Sequence, residues 1–276
     1  MLWLFHTSLI SIPCFLGKLN FLFRYLNHYF TAGTEHGLHS PFIFELYSGT
    51  IRPKKDYYVF DQIEKLRKEH IHSNEKIEVL DFGAGSQVEK GNLRSVSSIA
   101  KYSEKSPALA QLIFKLVNYF QPEIILDLGT SLGITTIYES FAREDALIYT
   151  FEGCPNTAKI ALQNFEKLKR KNIKLIEGNI DQTLPAAVNQ ISKIDFAFFD
   201  ANHRLEPTLR YFNTCIEKAR EHTIFIFDDI HWSDEMEQAW EQIKADERVM
   251  LTIDLFYVGL VFFRKGQPKQ NFRLKC

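Results

Sequence analysis

From residue 123 onward the chain alternates short apolar runs with helical stretches, a rhythm that leaves few architectures open. Five runs read as strands: Glu123–Leu128 (EIILDL), Leu147–Phe151 (LIYTF), Ile173–Ile176 (IKLI), Ile194–Phe199 (IDFAFF) and Thr223–Phe227 (TIFIF). Helical patterns lie between and after them, near 133–143, 155–169, 182–190, 205–220 and 233–245. Such alternation predicts a parallel sheet covered on both faces. The last two apolar runs, VMLTIDLF and VGLVFFRK, are separated only by a turn at Tyr257 and predict an antiparallel hairpin. The expected fold class is therefore α/β: a doubly wound, mostly parallel seven-stranded sheet ending in an antiparallel hairpin. Ahead of it, LGKLNFLFRYLNHYF, YYVFDQIEKLRKEH and PALAQLIFKLVNYF space their apolar residues three and four apart, as helices do. We place a boundary near Ser106–Pro107, giving a mainly helical region at 1–106 and a sheet domain at 107–276.

A chain of 276 residues has room for one large domain and an appendage. Its net charge of −1 lacks the basic field of a protein that works on phosphate backbones, so no nucleic-acid partner is expected. Cys14, Cys154, Cys215 and Cys276 show no metal-binding spacing and read as reduced thiols of a cytoplasmic protein. Residues 1–17 carry no Lys, Arg, Asp or Glu. The first basic residue, Lys18, follows the apolar run instead of preceding it, unlike a secretory signal. We read the run as a buried or docking segment in preference to a membrane anchor; either way the remainder stays in the cytoplasm.

Acid-then-glycine loops occur twice, as LDFGAGS at 80–86 and LDLGTSLG at 126–133. A glycine loop after a strand lets backbone approach a ligand, and the following helix N-terminus favours an anionic group. Only the second loop is followed by a helix, a strand and then an acid, Glu152, 25 positions after Asp127. An acid at the tip of the second strand suits a ribose diol. A dinucleotide fingerprint would place two glycines in the turn, whereas Gly129-Thr-Ser-Leu-Gly133 has one. The loop therefore suits a ligand with a ribose and no pyrophosphate. For LDFGAGS the reading is a tight turn, with a part in shaping the substrate pocket as the alternative.

The segment from about 107 to 264 resembles class I S-adenosylmethionine-dependent methyltransferases, in particular the catechol-type small-molecule O-methyltransferases. The residues carrying the resemblance are ILDLGTSLGITT, FEG at 151–153, IEGNIDQTLP at 176–185, FAFFDANH at 196–203, FIFDDIHWS at 225–233 and the terminal hairpin. The resemblance implies S-adenosylmethionine as cofactor. Asp127, Gly129, Ser131 and Gly133 would line its methionine and ribose part, and Glu152 would take the ribose hydroxyls. Gly178, Ile180 and Asp181 would flank the adenine, and Asp200 would contact the cofactor near the sulfonium.

Asp200, Asp228 and Asp229 end the fourth and fifth strands, at the edge where doubly wound sheets bind ligands. Three gathered carboxylates require a nearby cation, and Mg²⁺ or another hard divalent ion with these three as ligands is one candidate. Metal-dependent relatives typically carry Asp, Asp, Asn, with a lysine three residues after the first Asp. This chain instead has Asp229 in the third place and His203 in the lysine's. His203 is the candidate base and Asp200 its catalytic partner. Asp228 could alternatively cap the helix opening near Trp232–Ser233, and His231 reads as a packing residue. The expected activity is methyl transfer to a hydroxyl of a small-molecule acceptor, with residues 1–106 roofing the acceptor pocket and homodimerisation left open. The rivals are an NAD(P)-type oxidoreductase and a non-catalytic S-adenosylmethionine-binding protein.

Overall fold

Helices dominate the front of the chain, as the apolar spacing predicts. In the computed structural model, which describes residues 12–80 and 92–276, they are α1 (Ile12–Thr31), α2 (Pro41–Leu46) and α3 (Tyr58–Ile71). The expectations for residues 1–11 and for the LDFGAGS turn beyond Leu80 fall outside the described residues. Strands β1 (Lys76–Glu78) and β2 (Leu93–Ser95) form a small antiparallel pair, followed by α4 (Val96–Tyr102) and α5 (Pro107–Phe120). The sequence reading gave this stretch no strand, because three-residue arms leave no period to detect. Ser40, Ser95 and Ser106 cap α2, α4 and α5 by accepting from backbone N–H groups three residues on. Pro41 and Pro107, at the first helical positions, supply a pre-set φ and lack an N–H that would go unpaired there.

The second half alternates as expected. Its elements are β3 (Ile124–Leu128), α6 (Ile134–Ala142), β4 (Leu147–Glu152), α7 (Pro155–Lys167), β5 (Ile173–Glu177), α8 (Ile180–Gln190) and β6 (Ile194–Phe199). They continue with α9 (Leu205–Ile216), β7 (Ala219–Asp228), α10 (Asp234–Ala245), β8 (Leu251–Asp254), β9 (Val258–Phe262) and β10 (Gln270–Arg273). The sheet order is β10-β8-β9-β7-β6-β3-β4-β5, parallel from β7 through β5, with β9 antiparallel to both β7 and β8. An eighth strand thus joins the seven that the sequence implies. β10 is short and mostly polar, with Gln270 and Asn271 exposed, so no apolar run announces it; it forms by parallel pairing along the edge of β8. Gly33 then pairs with Leu274, tying the chain's last residues to the α1–α2 linker.

Alternation along each strand divides the core. Phe196, Phe198, Ile224 and Ile226 pack on one face, and Ala197, Phe199, Phe225 and Phe227 on the other. The first face also buries Ile43, Leu46, Tyr47, Phe60, Ile113 and Phe114, so the front helices share a continuous core with the sheet. Among the described residues no helix is long and apolar enough to cross a membrane.

A buried ionic knot holds α1 to the sheet. Asp254, at the end of β8, lies 3.1 Å from His28 Nε2 and 3.0 Å from His231 Nε2, and accepts from the Phe256 N–H. His231 also reaches Glu237 at 2.9 Å and stacks on Phe256, which makes it a structural residue, as read. Burial opposes the Asp254 charge, yet hydrogen bonds from His231 and His28 hold its carboxyl far below the usual carboxylate range. For His231, burial pushes downward but Asp254 and Glu237 raise it above the ordinary histidine value.

Asp254→Ala leaves two histidines without their buried anion and is expected to cost about 3–5 kcal/mol of unfolding free energy, measured by urea denaturation. A loss under about 1 kcal/mol, the range of exposed pairs, would show that the knot does not hold the fold. The depressed Asp254 gives stability present above an unfolded pKa of about 3.9 and lost as pH falls toward its folded value. The raised His231 gives stability present below about 6.5 and lost as pH rises through its folded value. The knot is therefore strongest between about pH 4 and 6.5. From about pH 6 to 9, the wild-type Tm should fall further than that of Asp254→Ala.

Candidate active site

Two cavities open at the carboxyl ends of the parallel strands, and each is built from a different set of turns. The first, about 230 Å³, is lined by Gly129, Ser131, Glu152, Ile180 and Asp200, together with Asn202 and Tyr211. The loop after β3 reaches it by a tight path. Gly129 has φ +111°, and a Cβ there would sit 2.2 Å from the Asp200 carbonyl oxygen, so only glycine fits between these two turns. Gly133, at φ +81°, closes the loop under Phe165, whose ring would lie 2.5 Å from an added Cβ.

Carboxylates hold the glycine loop in place. Glu152, at the end of β4, accepts from the Ser131 N–H at 2.9 Å and from the Cys154 N–H at 2.9 Å. Burial pushes Glu152 up to about 7 in spite of these donors. Glu104 accepts from the Leu132 N–H at 2.9 Å. Beneath the loop, Asp127 accepts from Thr136 and Thr150, and burial raises it to about 7. Among the described residues its second oxygen has no partner, and neither has either oxygen of buried Glu139.

The edge between β6 and β7 gathers the predicted acids. Asp200 Oδ1 lies 2.8 Å from Lys105 Nζ and 3.3 Å from His203 Nε2, and Lys105 also pairs with Asp228. All these groups are largely withdrawn from solvent, the Asp228 side chain being 1% exposed. Burial alone would raise Asp200, but Lys105 and His203 hold it below the usual range. Burial would also neutralise Lys105, yet Asp200 and Asp228 keep its ammonium charged far into the alkaline range. Asn202, His203 and Asp229, in the turns after β6 and β7, all adopt the positive φ that residues with side chains seldom take.

A second cavity of about 600 Å³ begins at the same lysine. Its floor carries Lys105, Asp228 and Asp229, and its walls include Tyr25, Tyr29, Leu109, Phe256 and Tyr257. Asp200 thus lines the first cavity, Asp228 the second, and Lys105 joins them.

Of the sequence-predicted residues, Gly129, Ser131, Glu152, Ile180 and Asp200 line the first cavity. Asp127 lies buried beneath the loop, and Gly133 forms the N-cap of α6. Gly178, at φ +127°, and Asp181 are not among the lining residues, and Asp181 accepts from Tyr211 and Arg210. Ser233, and not Asp228, caps α10. Ligand atoms of Asp200, His203 and Asp228 converge within 4.8 Å of one another; Asp229 does not belong to that group. The donor types suit a divalent cation, but the Lys105 ammonium already binds both carboxylates, so the residues as arranged do not fit one. Glu104 and Lys105 were missed by the sequence reading. The available signal was the requirement for a cation beside three acids, which the sequence does not locate.

Residues 126–230 match the family described as "Methyltransferase domain". No curated protein matches the chain. Solved structures do. A methyltransferase from Podospora anserina bound to S-adenosylhomocysteine is 14% identical, with a TM-score of 0.59 over 83% of this chain and 98% of that one. An O-methyltransferase from Bacillus cereus in complex with S-adenosylhomocysteine is 17% identical, with a TM-score of 0.53 over 79% and 96%. An O-methyltransferase of tomaymycin synthesis from Streptomyces achromogenes, in complex with S-adenosylmethionine, is 15% identical, with a TM-score of 0.53 over 80% and 95%. Residues 126–230 thus match a methyltransferase-domain family, and the chain shares the fold of these solved methyltransferases.

Proposed function

We propose that this protein transfers the methyl group of S-adenosylmethionine to a hydroxyl oxygen of a small molecule in the cytoplasm. The observation that carries this reading is Glu152 at the tip of β4, beside a glycine loop that only a residue without Cβ can form, within a matched methyltransferase domain. The lining of the first cavity supports it as the cofactor site. Glu152 would take the ribose hydroxyls, Gly129 and Ser131 would line the methionine part, Ile180 would flank the adenine and Asp200 would lie near the sulfonium. Gly178 and Asp181 sit next to Ile180 and would shape the adenine end from outside the lining. Asp127 and Gly133 would act by fixing the loop.

The second cavity suits the acceptor: aromatic walls for an apolar body, and charged groups at one end for a hydroxyl. Tyr25, His28 and Tyr29 of α1 border it, which supports residues 1–106 as the acceptor roof and 107–276 as the cofactor domain. When bound, the cofactor would supply an electrophilic methyl to the acceptor oxygen's lone pair, with S-adenosylhomocysteine as the leaving group. His203, held by Asp200, takes the hydroxyl proton when neutral. Lining residues from five separate segments would align the two reactants, the main source of rate for such a displacement. No step is assigned to a divalent ion, because the carboxylates that would hold it hold Lys105.

Calorimetric titration with S-adenosylhomocysteine tests the reading, and tight NADH binding without S-adenosylhomocysteine binding would overturn it. Glu152→Ala should weaken S-adenosylhomocysteine binding about 10- to 100-fold, the worth of hydrogen bonds to a charged group. Because Glu152 titrates at about 7, affinity should rise about tenfold from pH 6 to pH 8, and the Glu152→Ala variant should lose that dependence.

Gly129→Ala should lower stability by about 2–4 kcal/mol in urea and abolish cofactor binding, since neither φ +111° nor the contact with Asp200 admits a methyl group. Methyl transfer to hydroxylated small molecules, followed by mass spectrometry, separates an enzyme from a protein that only binds the cofactor.

A further inference from the structure

We propose that Lys105 is the resident cation of the acceptor site, so that this chain does without the divalent ion its cluster of acids would otherwise call for. The inference rests on the methyltransferase reading for its meaning but on separate geometry for its support. The Lys105 ammonium stands 2.8 Å from Asp200 Oδ1 and pairs with Asp228, the carboxylates whose oxygens converge with the His203 ring. A divalent ion using those oxygens has to expel a buried ammonium from both.

Expulsion is opposed by the way the lysine backbone is anchored. Its carbonyl accepts from Arg67 Nη1 at 2.7 Å, and Arg67 is itself buried and paired with Glu64. On one side Glu104 accepts from the Leu132 N–H; on the other Ser106 caps α5 by accepting from the Leu109 N–H. The side chain therefore enters the cluster from a segment pinned at three successive residues. Since Lys105 also lines the second cavity, its remaining hydrogen-bonding capacity faces the space where the acceptor oxygen would gain negative charge. A fixed ammonium there favours an acceptor whose hydroxyl ionises readily, such as a phenol or enol.

The test uses the full chain, stripped of metal by a chelator and titrated with Mn²⁺ by calorimetry and electron paramagnetic resonance, with and without S-adenosylhomocysteine. Wild type should show no Mn²⁺ binding below about 1 mM, weaker than dedicated protein sites for hard cations. Lys105→Met, which removes the charge and keeps the volume, should bind Mn²⁺ at least about tenfold more tightly than wild type, through Asp200, His203 and Asp228. Mn²⁺ binding by the wild type at micromolar concentration, or equal affinity in wild type and Lys105→Met, overturns the proposal. Should the variant fail to fold, the wild-type titration alone decides. A protein that binds neither Mn²⁺ nor S-adenosylhomocysteine refutes the cofactor reading while leaving the cation assignment standing, so the two fail separately.

Discussion

A doubly wound sheet delivers its strand ends to one edge, and here that edge delivers acids to a region closed from water. Asp200 and Asp228 sit on adjacent strands, and the second is almost fully buried. Neighbouring carboxylates in a low-dielectric setting repel one another and are costly to desolvate. Lys105 resolves both problems with one ammonium, delivered from the turn between α4 and α5. The front helices are therefore not an independent cap. They share the sheet's core and also supply the charge that allows its functional edge to fold.

The same segment treats the glycine loop in the opposite sense. Unsatisfied N–H groups before α6 are electropositive, and Glu104 accepts from one of them while Glu152 accepts from its neighbour. Consecutive residues thus place a negative group against donors and a positive group against acceptors. Deeper still, Asp127 and Glu139 are buried with oxygens that find no partner among the described residues, and burial drives both toward the neutral acid. The first cavity is consequently poised near neutrality through Glu152 and Asp127, whereas at the neighbouring cluster Lys105 stays charged and burial drives Asp228 toward the neutral acid.

Much of the fold was legible in the sequence because burial on both sheet faces writes itself as short apolar runs, as in IDFAFF and TIFIF. The glycine loop and Glu152 were legible for a related reason: a strand, a turn without side chains and a second strand end lie within one local unit. β10 was not legible, since QNFR pairs through its backbone and carries no apolar pattern. Lys105 was not legible either. Its partner Asp228 lies 123 residues away, and nothing in KYSEKSP distinguishes a lysine aimed at a buried cluster from one in water. The sequence did require a cation at that edge; three-dimensional packing alone identifies it.

Glu104 and Lys105, joined by one peptide bond, both line the second cavity, and Glu104 also holds the glycine loop that borders the first. The glycine loop and the carboxylate cluster are thereby set to a common ruler, the length of one residue. Point substitutions at surrounding positions can be absorbed by local repacking. An insertion or deletion between α4 and α5 has no such remedy, because restoring either contact would displace the other. Length, more than composition, is what this short connector has to preserve.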